Sequence, residues 1–180
     1  MLEPDVTKFQ ECVEACACAA LAANGIVATP ASGAADDGGE PQIAAFIGFG
    51  GEKVRGTLMM AAPFGLMRGA YPLPSADGCA PADDDVLDWS GEVVNQMLGR
   101  MTNSLVARGI VLVASIPKAI QVDKLWVSRS THTSVCRLNL RSEGGGFGVW
   151  LDAVVSHGVE VFALPPIEAP SMAEGEQILF

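Results

Sequence analysis

The sequence predicts an α+β domain in which two long helices pack on an antiparallel sheet of about five or six strands. Three observations predict it. Two long stretches carry apolar residues at helical spacing, and the β-rich runs come in pairs separated by glycine-rich turns rather than by helices. The 180 residues are also 49% apolar and 18% charged, enough to build a real core and too apolar for global disorder. The length suits one domain, taken as residues 1–164, with residues 165–180 as a mobile tail because the composition turns to Pro, Ala, Glu and Gly.

The first helix is predicted over residues 7–24. Thr7 and Gln10 have capping-box spacing, Asn24 and Gly25 form a stop, and Phe9, Val13, Cys16, Ala20 and Leu21 make one face to bury. Residues 30–41 read as an acidic, turn-rich loop. Strands follow over residues 43–49 and 54–61, a hairpin closed across Gly50, Gly51, Glu52 and Lys53. A short helix over residues 64–71 ends at Pro72, and a loop runs to residue 82. The second long helix occupies residues 84–108, where Asp83 to Asp85 suit the positive end of its dipole and Gly109 ends it. The β-branched run at residues 110–116 predicts a buried strand stopping before Pro117. A last hairpin, residues 130–140 and 147–155, turns through Ser142 to Gly146. No internal repeat is evident.

Charge and end composition narrow the function. Twenty-one acidic residues against 11 Lys and Arg give a net charge of −10, and no two basic residues are adjacent. Phosphate-rich partners need clustered cations, so nucleic acid and anionic membrane are excluded as main partners. The N-terminal stretch has acids where a signal peptide has bases, and its apolar part is too short to span a bilayer, so the expected location is cytoplasmic. The five cysteines are read as reduced thiols packed in the fold, with metal or redox chemistry as the alternative. His132 and His157 are isolated, which leaves a His-dependent hydrolase without support. Gly144 to Gly148 lacks the Lys-Ser/Thr of a P-loop and reads as a hairpin turn; Ser134 and Cys136 have no acid or base nearby in sequence. The three tryptophans, Trp89, Trp126 and Trp150, are expected in or beside the core.

The second long helix carries the functional signal. Leu87, Gly91, Val94, Leu98, Met101 and Leu105 form its inward stripe, and Asp88, Glu92, Asn95, Gly99 and Asn103 form a second, polar stripe. Gly99 costs the helix about 1 kcal/mol relative to Ala, yet leaves room for another chain beside Asn95. Periodicity alone favours a solvated polar face with a glycine tolerated for packing.

The run from Gly91 to Gly99 resembles the GE-x-x-N-x-x-x-G helix of the CheC/CheX/FliY chemotaxis phosphatases, with Asp88 where that motif begins. Pro117, in the pattern IPKAI, follows Asn95 at about the family's distance, and IAAFIGFGGEKVRGTLMMAAP is similar to its hairpin. The likeness spans roughly residues 5–160 in element order. Two-site members of the family carry a second E-x-x-N helix; here neither Glu11 nor Glu14 is followed by Asn three residues on, the single-site pattern of CheX-like proteins. The stretch KAIQVDKLW lacks a glycine common in the family, and the loop at residues 72–82 is longer.

The resemblance implies a phosphatase acting on the aspartyl phosphate of a CheY-like receiver domain. Asn95 would orient the attacking water, Glu92 would pair with the receiver's active-site Lys, and Asp88, Gly91 and Gly99 would help form the docking surface. It implies no cofactor of the protein's own, with Mg²⁺ on the phosphorylated receiver, and a homodimer joined through a sheet edge. The alternative is a non-catalytic module that docks a receiver; a third reading is a structural dimer subunit.

Overall fold

The computed structural model describes residues 3–32, 41–72, 80–125, 127 and 134–156. In chain order the elements are α1 (Glu3–Ala23), β1 (Thr29–Pro30), β2 (Gln42–Gly50), β3 (Val54–Pro63), α2 (Phe64–Ala70), α3 (Asp83–Val106), β4 (Val113–Ala114), β5 (Lys118–Val122), β6 (Ser134–Ser142) and β7 (Gly145–Val155). The strands form one antiparallel sheet of seven in the order β1-β6-β7-β3-β2-β4, with β5 pairing the same edge of β2 farther along. The expected tail and the residues Cys79, Trp126, His132 and His157 lie outside the described residues.

Alternation in the strands decides which face is buried. Ile43, Ala45, Ile47 and Phe49 of β2, Leu58 and Met60 of β3, Leu138 and Leu140 of β6, and Phe147, Val149 and Leu151 of β7 join one core cluster with both long helices. Each such side chain, taken fully out of water, contributes about 1.5–3 kcal/mol. Helix α1 lies over β6 and α3 over β2, and the two helices contact each other. On the other face, register lines up Arg137, Trp150, Met59, Phe46 and Lys118 across the sheet. There Arg137 sits over the Trp150 ring, 5.4 Å from its centroid.

The helix ends share one design. Gly25 has φ +76°, its N–H donates to Ala22, and the Ile26 N–H donates to Leu21 at 2.9 Å. Gly109 has φ +70°, its N–H donates to Val106, and the Ile110 N–H donates to Leu105 at 3.0 Å. Both are Schellman stops, in which a left-handed glycine lets its own amide and the next one satisfy orphan carbonyls. At the start of α1 the expectation fails, whereas Asp83, Asp84 and Asp85 do fill the first turn of α3. Helix α1 already runs at Glu3, so Thr7 is inside it rather than capping it. The α3 N-cap is Ala82 with no side-chain cap, and Asp83 pairs with Arg68 of α2.

The predicted buried strand at residues 110–116 is also corrected. Ile110 and Leu112 are buried, but Val111, Val113 and Ile116 are 67%, 72% and 83% exposed, and only Val113–Ala114 is strand. The run lies on the sheet edge, where β-branched residues suit extended backbone without being covered. Between β4 and β5 the ladder changes form: the Ser115 N–H donates to the Gly48 carbonyl at 2.8 Å, and the Gly48 N–H donates to Ser115 Oγ at 3.0 Å. Strand β5, unpredicted, then pairs Lys118 with Phe46. This break leaves Pro117 beside α3.

Candidate functional site

Helix α3 buries a broad arc and exposes the stripe opposite it. Val86, Ser90, Val93 and Met97 are buried together with the predicted Gly91, Val94, Leu98, Met101 and Leu105, so the inward face is wider than predicted. Ser90 tolerates this because its hydroxyl donates to the Val86 carbonyl at 2.7 Å. Asp88, Glu92, Gly99 and Asn103 are exposed and Asn95 is half-buried, which brings the predicted polar stripe together on one surface.

Glu92 is the hub of that surface. Asn95 Nδ2 donates to its Oε2 at 3.3 Å, and Gln96 Nε2 donates to its Oε1 at 3.4 Å. Gln96 is in turn held from α1: Asn24 Nδ2 donates to Gln96 Oε1 at 2.8 Å and to the Ala20 carbonyl, while Trp89 Nε1 donates to Asn24 Oδ1. Tyr71 packs edge-on against Trp89, with centroids 5.8 Å apart. The stop at the end of α1 therefore anchors the carboxamide that orients the carboxylate. Sequence reasoning missed Gln96 and Asn24; Gln96 lies one turn after Glu92, but its link to Asn24 spans 72 positions of the chain and leaves no local pattern.

The two glycines play different parts. Nothing lies within 4 Å of a Cβ placed on Gly99, so the surface beyond Asn95 is open. Gly91, expected on the docking surface, is buried instead, and a Cβ there would meet Pro117 at 3.7 Å. Its contribution is indirect: it seats Pro117 against α3, and with it the 83% exposed Ile116 at the flank of the site. Arg100 is exposed one helical turn beyond Gln96.

What this arrangement offers is an exposed carboxylate and a half-buried carboxamide, side by side on one helix surface. Among the described residues no group of three or more His, Cys, Asp or Glu is placed to hold a metal ion. No helix among them is long and apolar enough to cross a membrane.

Comparison with known proteins gives a consistent picture. The family model described as chemotaxis phosphatase CheX matches residues 43–138, just over half of the chain. The fold is similar to that of the chemotaxis protein CheX from Vibrio vulnificus, with TM-score 0.67 and 18% identity over 81% of this chain and 96% of that one. It is similar also to CheX from Desulfovibrio desulfuricans, with TM-score 0.65 and 18% identity over 83% and 99% of the two chains. A third similar structure is the complex of CheX with CheY, BeF₃ and Mg²⁺ from Borrelia burgdorferi, with TM-score 0.60 and 15% identity over 79% and 96%. A search of curated protein sequences gives no match.

Proposed function

Because the chain belongs to the CheX family of chemotaxis phosphatases, we propose that it hydrolyses the aspartyl phosphate of a CheY-like receiver domain through Glu92 and Asn95. The observation that carries this reading is the placing of exposed Glu92 beside half-buried Asn95 on one surface of α3, hydrogen-bonded to each other at 3.3 Å and unobstructed at Gly99. The Borrelia burgdorferi CheX, crystallised with CheY, BeF₃ and Mg²⁺, supports a receiver as the kind of partner.

An acyl phosphate is already activated, and the receiver brings its own Mg²⁺ and Lys. The protein then has one task, to hold a water in line with phosphorus. A carboxamide suits it, offering an acceptor and donors on a short arm that does not ionise. In the free protein Asn95 spends a donor on Glu92. On docking, the receiver's Lys takes Glu92 Oε2, a charge-assisted bond that displaces the weaker amide contact and frees Asn95 to hold the water. Gln96 remains on Oε1 and keeps the carboxylate aimed. Asp88, Gly99 and Ile116 border the contact, and Gly91 supports it through Pro117. Mg²⁺ is thus needed on the receiver and no cofactor on this chain. The reaction takes place in the cytoplasm, where receivers are phosphorylated.

The same reading includes a homodimer paired through a sheet edge. Strand β5 supports it, with Ile120 47% exposed on the outer edge. The test of function is direct: a CheY-like receiver phosphorylated with a small phosphodonor loses its acyl phosphate faster when the protein is added. Binding of the BeF₃-activated receiver with no change in that rate would make this a docking module instead.

A further inference from the structure

A carboxamide turned by 180° keeps its shape and exchanges acceptor for donor, so Asn24 and Gln96 have no polarity of their own. For Glu92 the difference is large. Turned one way, Gln96 donates to the carboxylate; turned the other, its oxygen faces a carboxylate oxygen and pushes Glu92 off its aim. The groups around the two amides decide which way they stand.

Those groups have fixed polarity. The Trp89 indole can only donate, and its Nε1–H goes to Asn24 Oδ1 at 3.3 Å. The Ala20 carbonyl can only accept, and it takes a hydrogen from Asn24 Nδ2 at 2.8 Å. Both contacts set the Asn24 amide the same way round, and its other Nδ2 hydrogen goes to Gln96 Oε1 at 2.8 Å. With Oε1 accepting from Asn24, Gln96 has Nε2 left for Glu92, which it meets at Oε1 over 3.4 Å. A carboxylate can only accept, so the far end of the relay agrees with the near end. Trp89 and Gln96 sit about two helical turns apart on α3, with Glu92 between them, and Asn24 reaches both from α1. Asn24, Trp89 and Gln96 are each half-buried, which limits the competition of water for these bonds.

We propose that Asn24 is a positioning residue for the receiver reaction: from α1 it sets Gln96 as a donor, so that one oxygen of Glu92 is held and the other is presented to the receiver's cation. The proposal rests on the phosphatase reading of Glu92 and Asn95. Asn24 acts through Gln96 and stands two side chains away from the pairing it controls. A carboxylate held by one oxygen cannot swing to offer both to a partner. Its pairing with the receiver's Lys therefore has one register, the one in which Asn95 meets the water. Trp89 steadies the relay from the far side, and its ring is in turn held edge-on by Tyr71.

Two substitutions separate polarity from mere attachment. Gln96→Glu keeps an acceptor for Asn24, and with it the tie between the helices, but cannot donate to Glu92. Asn24→Asp keeps an acceptor for Trp89 but has no donor, so Gln96 turns its nitrogen toward the new carboxylate and its oxygen toward Glu92. Dephosphorylation rates are measured across receiver concentration on the full chain. In the free protein, NMR follows the Gln96 side-chain amide and the Trp89 indole N–H, the latter assigned by its loss in Trp89→Phe. The expected result for Gln96→Glu is a fall in kcat of about tenfold with no rise in KM, because the added charge still attracts the receiver's Lys while the register is lost. Asn24→Asp lowers kcat at least as much as Asn24→Ala and shifts the Gln96 amide resonances, and Asn24→Ala shifts the Trp89 indole resonance. Wild-type kcat in Gln96→Glu, a loss confined to KM, or Gln96 resonances unmoved by Asn24→Asp would overturn the proposal. A wild type that does not accelerate hydrolysis would overturn the phosphatase reading and the positioning role with it, whereas the NMR shifts report on the relay without any receiver.

Discussion

Helices α1 and α3 are built alike and equipped differently. Leu21, Gly25 and Ile26 at the end of α1 correspond to Leu105, Gly109 and Ile110 at the end of α3, with the same two hydrogen bonds and a glycine at positive φ. Each helix is followed by a two-residue edge strand, β1 on β6 and β4 on β2, and the β2–β3 and β6–β7 hairpins meet where β3 pairs with β7. The absence of a repeat at the level of residues thus hides a repeat of backbone design. Matched from these stops, Lys8 occupies the position of Glu92, Glu11 that of Asn95 and Cys12 that of Gln96. Lys8 and Glu11 are exposed, as a site would need, but they bring a cation and a carboxylate where α3 brings a carboxylate and a carboxamide. Shared architecture needs only the stop and the buried stripe; the chemistry resides in three outward side chains.

The sharpest way to break this comparison is to give α3 the α1 pair. The variant Glu92→Lys/Asn95→Glu loses about 100-fold or more of the receiver dephosphorylation rate. Its stability, read from urea unfolding, falls by no more than about 1 kcal/mol, because Glu92 is exposed and Asn95 only half-buried. Next in size are the shared stops. Gly25→Ala and Gly109→Ala each lose about 1–2 kcal/mol in the same unfolding measurement. Nothing lies within 4 Å of a Cβ at either position, so the cost is conformational and equal at the two ends. Asn24→Ala removes the tie between the helices at Gln96 and costs about 0.5–1.5 kcal/mol of stability. Gln96→Ala frees Glu92 and lowers the dephosphorylation rate by about twofold to tenfold in a stopped-flow assay. The smallest effect is expected from the reverse graft. Lys8→Glu/Glu11→Asn in an Asn95→Ala background recovers no activity, because Cys12 stands where the orienting Gln96 would be needed.

The same contrast explains how much could be read from the sequence. Glu92, Asn95 and Gly99 were legible because a helix writes its exposed stripe at fixed spacing, and the hairpins because Gly-rich turns interrupt alternating runs. The stops were legible too, since Asn24-Gly25 and Gly109 act locally. What escaped depends on partners far along the chain. Strands β1 and β5 exist by pairing with β6 and β2, and Pro30 gives no strand signal of its own. Residues 110–116 have the composition of a buried strand, yet only the sheet edge decides that Val111, Val113 and Ile116 stay in water. Gly91 has helical spacing that fits either face; Pro117 settles that it points inward. The hold of α1 on Glu92 through Asn24 and Gln96 is a tertiary fact with no local sequence pattern.

The central claim is that catalysis belongs to α3 and to Asn95 in particular. It is tested most directly by following the acyl phosphate of one phosphorylated receiver in the presence of wild-type protein, Asn95→Ala and Glu11→Ala. The account predicts that Glu11→Ala accelerates hydrolysis as the wild type does, while Asn95→Ala leaves only the receiver's spontaneous rate. Undiminished acceleration by Asn95→Ala would contradict it.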